Sequence, residues 1–406
     1  MRIIDVDAHL HEPLDWLIRT DPNLAAELGR PARFMEIAGQ LFGGGGHALQ
    51  GLPESQRPKD PWDKILPGFV NHLQITDDRQ PENHTDKDVH AYFEANARLR
   101  FCDERGIESQ FLNPTFLVGS FVQAATVQKT HLIQSIKAAW NTWSGEQVRG
   151  HTDRLFPVAQ IDLHDVPWSI AEMRRSRDLG SRAFAIPESP VKGRGSALPR
   201  SITHPDFEPI WSIAEELGMA AFAHVGFARE GINPGWANNG ADSVRTFSLL
   251  QSIAASHTGT QLMLAAMIFD GLFERHPKLV VVTEEVGIDW LPHLVSSLDF
   301  TIGRAPAVLD DGHFRPSNLT MGETYTLPLA PVEYLQRQVR VSPLPNAQPI
   351  LPVLDQVPPE LLCFSSDYPH VEGSEDAVAV FERQLVGQPE RIRREFFGGV
   401  GELMGV

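Results

Sequence analysis

Short apolar runs of strand character recur along this chain with helical stretches between them, and that alternation limits the fold more than any single motif does. The runs fall at 2–6, 107–112, 155–161, 183–186, 219–225, 279–283, 320–327 and 361–364. Helical spacing fills the intervals, at 92–105, 127–149, 168–179, 204–217, 245–257, 262–276 and 290–300, and finishes the chain at 376–385 and 390–397. Gly106, Gly180 and Gly218 stand where helices should stop. Strands that alternate with helices pair in parallel through right-handed crossovers. Their number suits a closed (β/α)8 barrel better than an open sheet, and such barrels reach 406 residues as one domain (1–406).

Several of these runs end in metal-ligand chemistry. After the first come Asp5, Asp7, His9 and His11 on alternate positions, then Glu12. In an extended chain alternate side chains share a face, so carboxylates and imidazoles should gather at the strand's carboxyl end. Unpaired charge gathered this way is costly, and a divalent ion turns those groups into ligands; the plainer reading is a polar loop. His224 ends the fifth run, Glu284 and Glu285 the sixth, and Asp367 follows the last. Alone, His224 reads as a satisfied core histidine and Asp367 as a turn cap with Ser365. In a parallel barrel, however, all these strand ends meet at one mouth. Imidazoles with carboxylates and no thiolate fit zinc, manganese or another first-row divalent ion and do not choose among them; zinc is the ion expected. Such an ion keeps a coordination position open for water or a substrate oxygen.

Composition narrows the partners. Lys+Arg 35 against Asp+Glu 52 leaves a net charge of −17, which argues against nucleic acid and anionic membranes. Cys102 and Cys363 have no nearby partner and suggest neither a disulfide framework nor a thiolate site. No run approaches the ~20 apolar residues of a membrane helix, and no leader pattern opens the chain, so a cytoplasmic location is expected. Residues 31–90, with Gly43 to Gly46 and repeated prolines, lose periodicity yet keep Phe34, Phe42, Trp62 and Phe69. So long an excursion reads as a lid or an oligomer arm, and a homodimer is expected.

The residues that carry the strand ends also carry a resemblance. The opening Asp7-Ala8-His9-Leu10-His11-Glu12-Pro13, the segment from Arg105-Gly106-Ile107 to Asn113-Pro114-Thr115, the run from His204-Pro205-Asp206-Phe207 to His224-Val225-Gly226, the stretch Glu285-Val286-Gly287, and Ser366-Asp367-Tyr368-Pro369-His370 jointly resemble the amidohydrolase superfamily, in the amidohydrolase-2 branch that contains aminocarboxymuconate semialdehyde decarboxylase. The resemblance covers nearly the whole chain. It implies a distorted TIM barrel with one divalent metal held by Asp7, His9, His224 and Asp367. His9 with His11 is the alternative first-strand pair, because many members carry His-x-His there. Several decarboxylases of the branch have a histidine after strand six, where this chain has Glu285. That carboxylate is expected as a general base or further ligand, or as the ion-pair partner of an arginine such as Arg304.

His370 is placed to orient a ligand or a water, or simply to cap the turn. Glu12 should hold the first loop or touch substrate, as should His11. Trp16, Trp62, Phe116, Phe227 and Trp236 are candidate pocket walls, and Arg229 or Arg245 could meet an anion. The expected function is a metal-dependent hydrolase for a small organic substrate, with Asp367 or Glu285 deprotonating the attacking water. Nonoxidative decarboxylation of an aromatic or dienoic acid is the alternative within enzymes, and a barrel that binds ligand without turnover is the alternative outside them.

Overall fold

The computed structural model describes residues 1–13, 16–28, 89–115, 117, 128–191, 199–225, 256–304, 327–345, 348–370 and 373–406. The insertion expected at 31–90 lies outside these residues except for its last two. Phe116, Phe227, Trp236, Trp62, Arg229 and Arg245 lie outside them as well.

Seven parallel strands pair in chain order: β1 (Ile4–Leu10), β2 (Ser109–Pro114), β3 (Leu155–Ala159), β4 (Ala183–Ile186), β5 (Ala220–His224), β6 (Val281–Glu284) and β7 (Val339–Val341). The sheet is curled, and the segment after Leu361 closes it. Leu362 bridges Val341 and Tyr368 bridges Ala8, both in parallel. Cys363 N donates to Val341 O (3.1 Å), Val6 N to Phe364 O (3.2 Å) and His9 N to Tyr368 O (2.8 Å). The expected eighth strand is therefore present as a seam. Its ladder breaks where Asp367 takes a left-handed φ of 51°. The architecture is a distorted (β/α)8 barrel.

One strand falls elsewhere than the sequence suggested. The seventh is Val339–Val341, not 320–327, which lies outside the described residues save Leu327. Three residues are too few for an alternation to register, and the run Val-Arg-Val follows directly on a helix, Pro331–Gln338, that the proline-rich surroundings also concealed.

Among the described residues the helices between strands form where their apolar spacing allowed; the helix expected at 245–257 lies outside those residues save for its last two. Ala95–Arg105 and Glu208–Leu217 end at Gly106 (φ 72°) and Gly218 (φ 60°), positions where a side chain would strain the backbone. Asp165 caps Val166–Asp178 by accepting from Trp168 N. Inside the barrel, Ile4, Val6, Phe111, Phe156, Phe222 and Val282 form one cluster, joined from below by Val400 of the final helix. That packing fills the lower barrel with apolar side chains and leaves polar groups to the mouth.

Candidate metal centre

Strict alternation along β1 would put Asp5, Asp7 and His9 on one face, and the structure does not. The pairing of β1 with β2 slips between Asp5 and Ala8. Ile4 and Val6 pack into the barrel, whereas Ala8 and Leu10 pack outward with Leu112 and Trp140. A slip of this kind turns successive side chains to the same side, so Asp7 joins Val6 in facing inward and His9 follows. Asp5 is left on the helix side. There its Oδ2 accepts from Gln110 Nε2 (2.7 Å) and Ser366 Oγ (2.6 Å), and its Oδ1 from Ser366 N (2.9 Å). Gln110 is held in turn by Arg98 Nη1, and Arg98 also donates to His9 O. His11 lies beyond the strand, fully buried, its ring 5.2 Å from Tyr92 and 5.8 Å from His370. It belongs to neither group of candidate ligands. Glu12 accepts from Trp140 Nε1 (2.6 Å) and Thr115 N (3.3 Å), which ties the first loop to the helix layer.

At the mouth the two imidazoles meet end to end. His9 Nδ1 lies 3.1 Å from Pro114 O and His224 Nδ1 lies 3.0 Å from Val225 O. A carbonyl can only accept, so in both rings Nδ1 carries the hydrogen and a neutral ring keeps its lone pair on Nε2. Those two Nε2 atoms are 3.2 Å apart. Asp7 Oδ1 stands 3.3 Å from His9 Nε2 and 3.8 Å from that of His224, and Glu285 Oε1 stands 3.6 and 3.5 Å from the same atoms. Four acceptors aimed at one another need a cation or shared protons between them. The chemistry and spacing of these donors therefore fit a divalent first-row ion.

Two neighbouring residues adopt backbone conformations that non-glycine residues seldom take. Glu285 (φ 55°) and Asp367 (φ 51°) are both left-handed. Such strain is found where surrounding structure over-determines a functional side chain. The turn brings Glu285 Oε1 to 3.3 Å from His370 Nδ1, which also lies 2.9 Å from Asp367 Oδ1. Asp367 Oδ1 is 3.5 Å from His9 Nε2. Two overlapping quartets result: Asp7, His9, His224 and Glu285, and His9, Glu285, Asp367 and His370. The Asp367 carboxylate thus falls in the second quartet, while its backbone N donates to Asp7 O (2.7 Å). Glu285 faces imidazoles; the side chain of Arg304 lies outside the described residues.

Electrostatics follow from this crowding. Burial resists charge on His224, but Glu285, Asp7 and Glu284 outweigh it and hold the imidazole well above its ordinary value. Burial likewise pushes the Glu285 carboxyl up, yet the charge of His224 and its hydrogen bond bring it well below the usual range. Burial and the charge of Asp7 drive Glu284 the other way, well above that range. Asn113, a carrier of the resemblance to which the sequence gave no role in the site, donates to both Asp7 Oδ1 and Glu284 Oε2 at 3.1 Å. Its signal was only its place near the end of a strand. Glu284 Oε1 is buried and has no hydrogen-bond partner among the described residues. Beside Glu285 opens a cavity of about 670 Å³ lined by His257, Gln261, Trp290, His293, Leu344 and Gln348, a size that suits a small organic molecule.

The sequence profile of the amidohydrolase family matches residues 6–399. No curated protein matches the sequence. In shape the chain is similar to an amidohydrolase from Mycobacterium avium subsp. paratuberculosis K-10, at 22% identity and a TM-score of 0.68, covering 100% of this chain and 98% of that one. It is similar to a dihydroxybenzoic acid decarboxylase from Polaromonas sp. JS666 with bound manganese and the inhibitor 2-nitroresorcinol (16%, TM-score 0.59, covering 100% and 97%). A third likeness is to 5-carboxyvanillate decarboxylase from Sphingomonas paucimobilis (17%, TM-score 0.58, covering 100% and 99%). At these identities the likeness is one of fold.

Proposed function

The chain belongs to the amidohydrolase family, and from that premise we propose that it is a metal-dependent hydrolase of a small organic substrate, with Glu285 as the general base. The observation that carries the reading is the Glu285 carboxylate, turned by a left-handed backbone to 3.6 and 3.5 Å from the Nε2 atoms of His9 and His224. Asp7, His9 and His224, with Asp367 across the mouth, are the side chains that would hold the ion. Bound there, zinc or manganese supplies Lewis acidity, easing the loss of a proton from water and stabilising negative charge on a substrate oxygen.

Glu285 takes the proton of the attacking water, which an ionised carboxylate within reach of the mouth can do without first losing one of its own. His370 touches both Glu285 and Asp367 and is placed to carry that proton toward the leaving group. Asn113 fixes Asp7 in orientation. The cavity beside Glu285 has room for the substrate, with Trp290 and Leu344 as its apolar wall.

Decarboxylation is the second reading, and the fold likeness to two decarboxylases of aromatic acids favours it. In that case His370 or Glu285, once protonated, delivers a proton to the carbon that loses carbon dioxide. The two separate by experiment: metal-loaded protein is given ester, lactone and amide panels in ¹⁸O-water, and hydroxybenzoates in a sealed vessel. Label in a product carboxylate supports hydrolysis; carbon dioxide from a hydroxybenzoate, with no panel member cleaved, sinks it. Glu285→Gln should lower kcat of the hydrolysis by about 10²–10⁴-fold.

A further inference from the structure

Arg98 carries a charge out of reach of solvent. It is 1% exposed, in the helix Ala95–Arg105 that leads into β2. A charge buried this deeply is costly unless its donors are met, and its contacts show what it holds. Nη2 donates to the backbone O of His9 (2.5 Å), Nε to Ala91 O (2.5 Å), and Nη1 to Gln110 Oε1 (3.4 Å). The guanidinium carbon lies 4.9 Å from the ring centre of Tyr368, the residue after Asp367. From these contacts we infer that Arg98 is a positioning residue of the mouth, gripping from the helix layer the two segments that carry His9 and Asp367.

The two grips are joined. His9 N donates to Tyr368 O (2.8 Å), so a shift of one backbone carries the other. Asp367 holds a left-handed φ of 51°, a conformation that persists only where its surroundings over-determine it. The Tyr368 ring supplies part of that constraint. It stacks on Phe101 at 3.9 Å and an interplanar angle of 16°, one turn along the helix from Arg98. Arg105, a further turn on, lies over Phe101 (4.0 Å) and donates to Glu375 O (2.6 Å), which anchors the far end of the closing loop. Residues 98, 101 and 105 share a face at helical spacing. A guanidinium, with its planar fork of five donors, reaches the carbonyls of His9 and Ala91 at once and still meets an aromatic ring; a lysine ammonium is a single point of charge and does not.

The inference rests on the reading of the mouth as a metal centre, and titration of metal-free protein with Mn²⁺ separates the two. Arg98→Met and Arg98→Lys, the second keeping charge and length so that the chain folds, are compared with the unsubstituted protein. Cys102→Ala, a buried change on the same helix, is the control for stability alone. Each protein is assayed for Mn²⁺ affinity, for the electron paramagnetic resonance spectrum of the bound ion, and for Tm without metal. Both Arg98 variants should bind Mn²⁺ tenfold or more weakly and give an altered spectrum, because the spectrum reports the geometry of the ligands. Cys102→Ala should lower the metal-free Tm while keeping affinity and spectrum. Affinity equal to that of the unsubstituted protein in either Arg98 variant, or weaker binding with an unaltered spectrum, overturns the positioning role and leaves the proposed function standing. So does a Cys102→Ala protein that reproduces the Arg98 changes. No Mn²⁺ bound by the unsubstituted protein overturns both.

Discussion

Asp5 shows at the scale of one residue how a polar group serves the mouth without facing it. It is fully buried and accepts from Ser366 and Gln110, which ties β1 to the segment that carries Asp367. Burial pushes its carboxyl up to about 7, against the pull of those hydrogen bonds. An acid whose pKa is raised on folding binds protons that the unfolded chain, at about 3.9, has already released. Its contribution to stability is thus complete below about pH 4 and lost as pH rises through about 7. Asp5→Asn removes that titration. In urea unfolding of metal-free protein at pH 5, 6 and 7, the stability advantage of the unsubstituted chain over the variant should shrink with rising pH; a constant gap would show that Asp5 stays ionised throughout.

Among the elements, the closing segment is the most tightly specified. It cannot run as a regular strand, because Asp367 must turn into the mouth. The loop beyond it folds back so closely that a Cβ on Gly373 would overlap the backbone of Asp367 and Ser366. Gly373→Ala should therefore displace Asp367 while leaving the helices intact. Expected are a loss of Mn²⁺ affinity of tenfold or more by titration and a far-ultraviolet circular dichroism spectrum like that of the unsubstituted protein. Unaltered affinity would mean that the loop adapts without moving its carboxylate. β1 makes the complementary point. Its alternating Asp5, Asp7, His9 and His11 suggested one face, but the slip between Asp5 and Ala8 assigns only Asp7 and His9 to the mouth.

For the whole molecule, an ion at the mouth would join side chains that are more than two hundred residues apart in the chain. His9 comes from β1, His224 from β5, Glu285 from just past β6, and Asp367 from the seam. An ion that binds only the folded state adds about 2.7 kcal/mol when present at a hundred times its Kd. Removal of metal by chelator should lower Tm by several degrees, and added Zn²⁺ or Mn²⁺ should restore it. A Tm indifferent to both would argue against any ion at the mouth. No helix among the described residues is long and apolar enough to cross a membrane.

The sequence by itself determined the class of fold, because the apolar periods of strand and helix are local properties of the chain, and it picked out His9, His224, Glu285 and Asp367 because each sits at the end of such a run. Short or crowded elements escaped it: β7 is three residues long, and Asn113 carries no pattern of its own. Only the tertiary structure decided which of β1's polar residues look inward, since a register slip depends on the neighbouring strand. It alone set Glu285 beside His9, His224 and His370, because which carboxylate meets which imidazole across strands depends on how the curled sheet closes, and no distance of that kind is written in the order of residues.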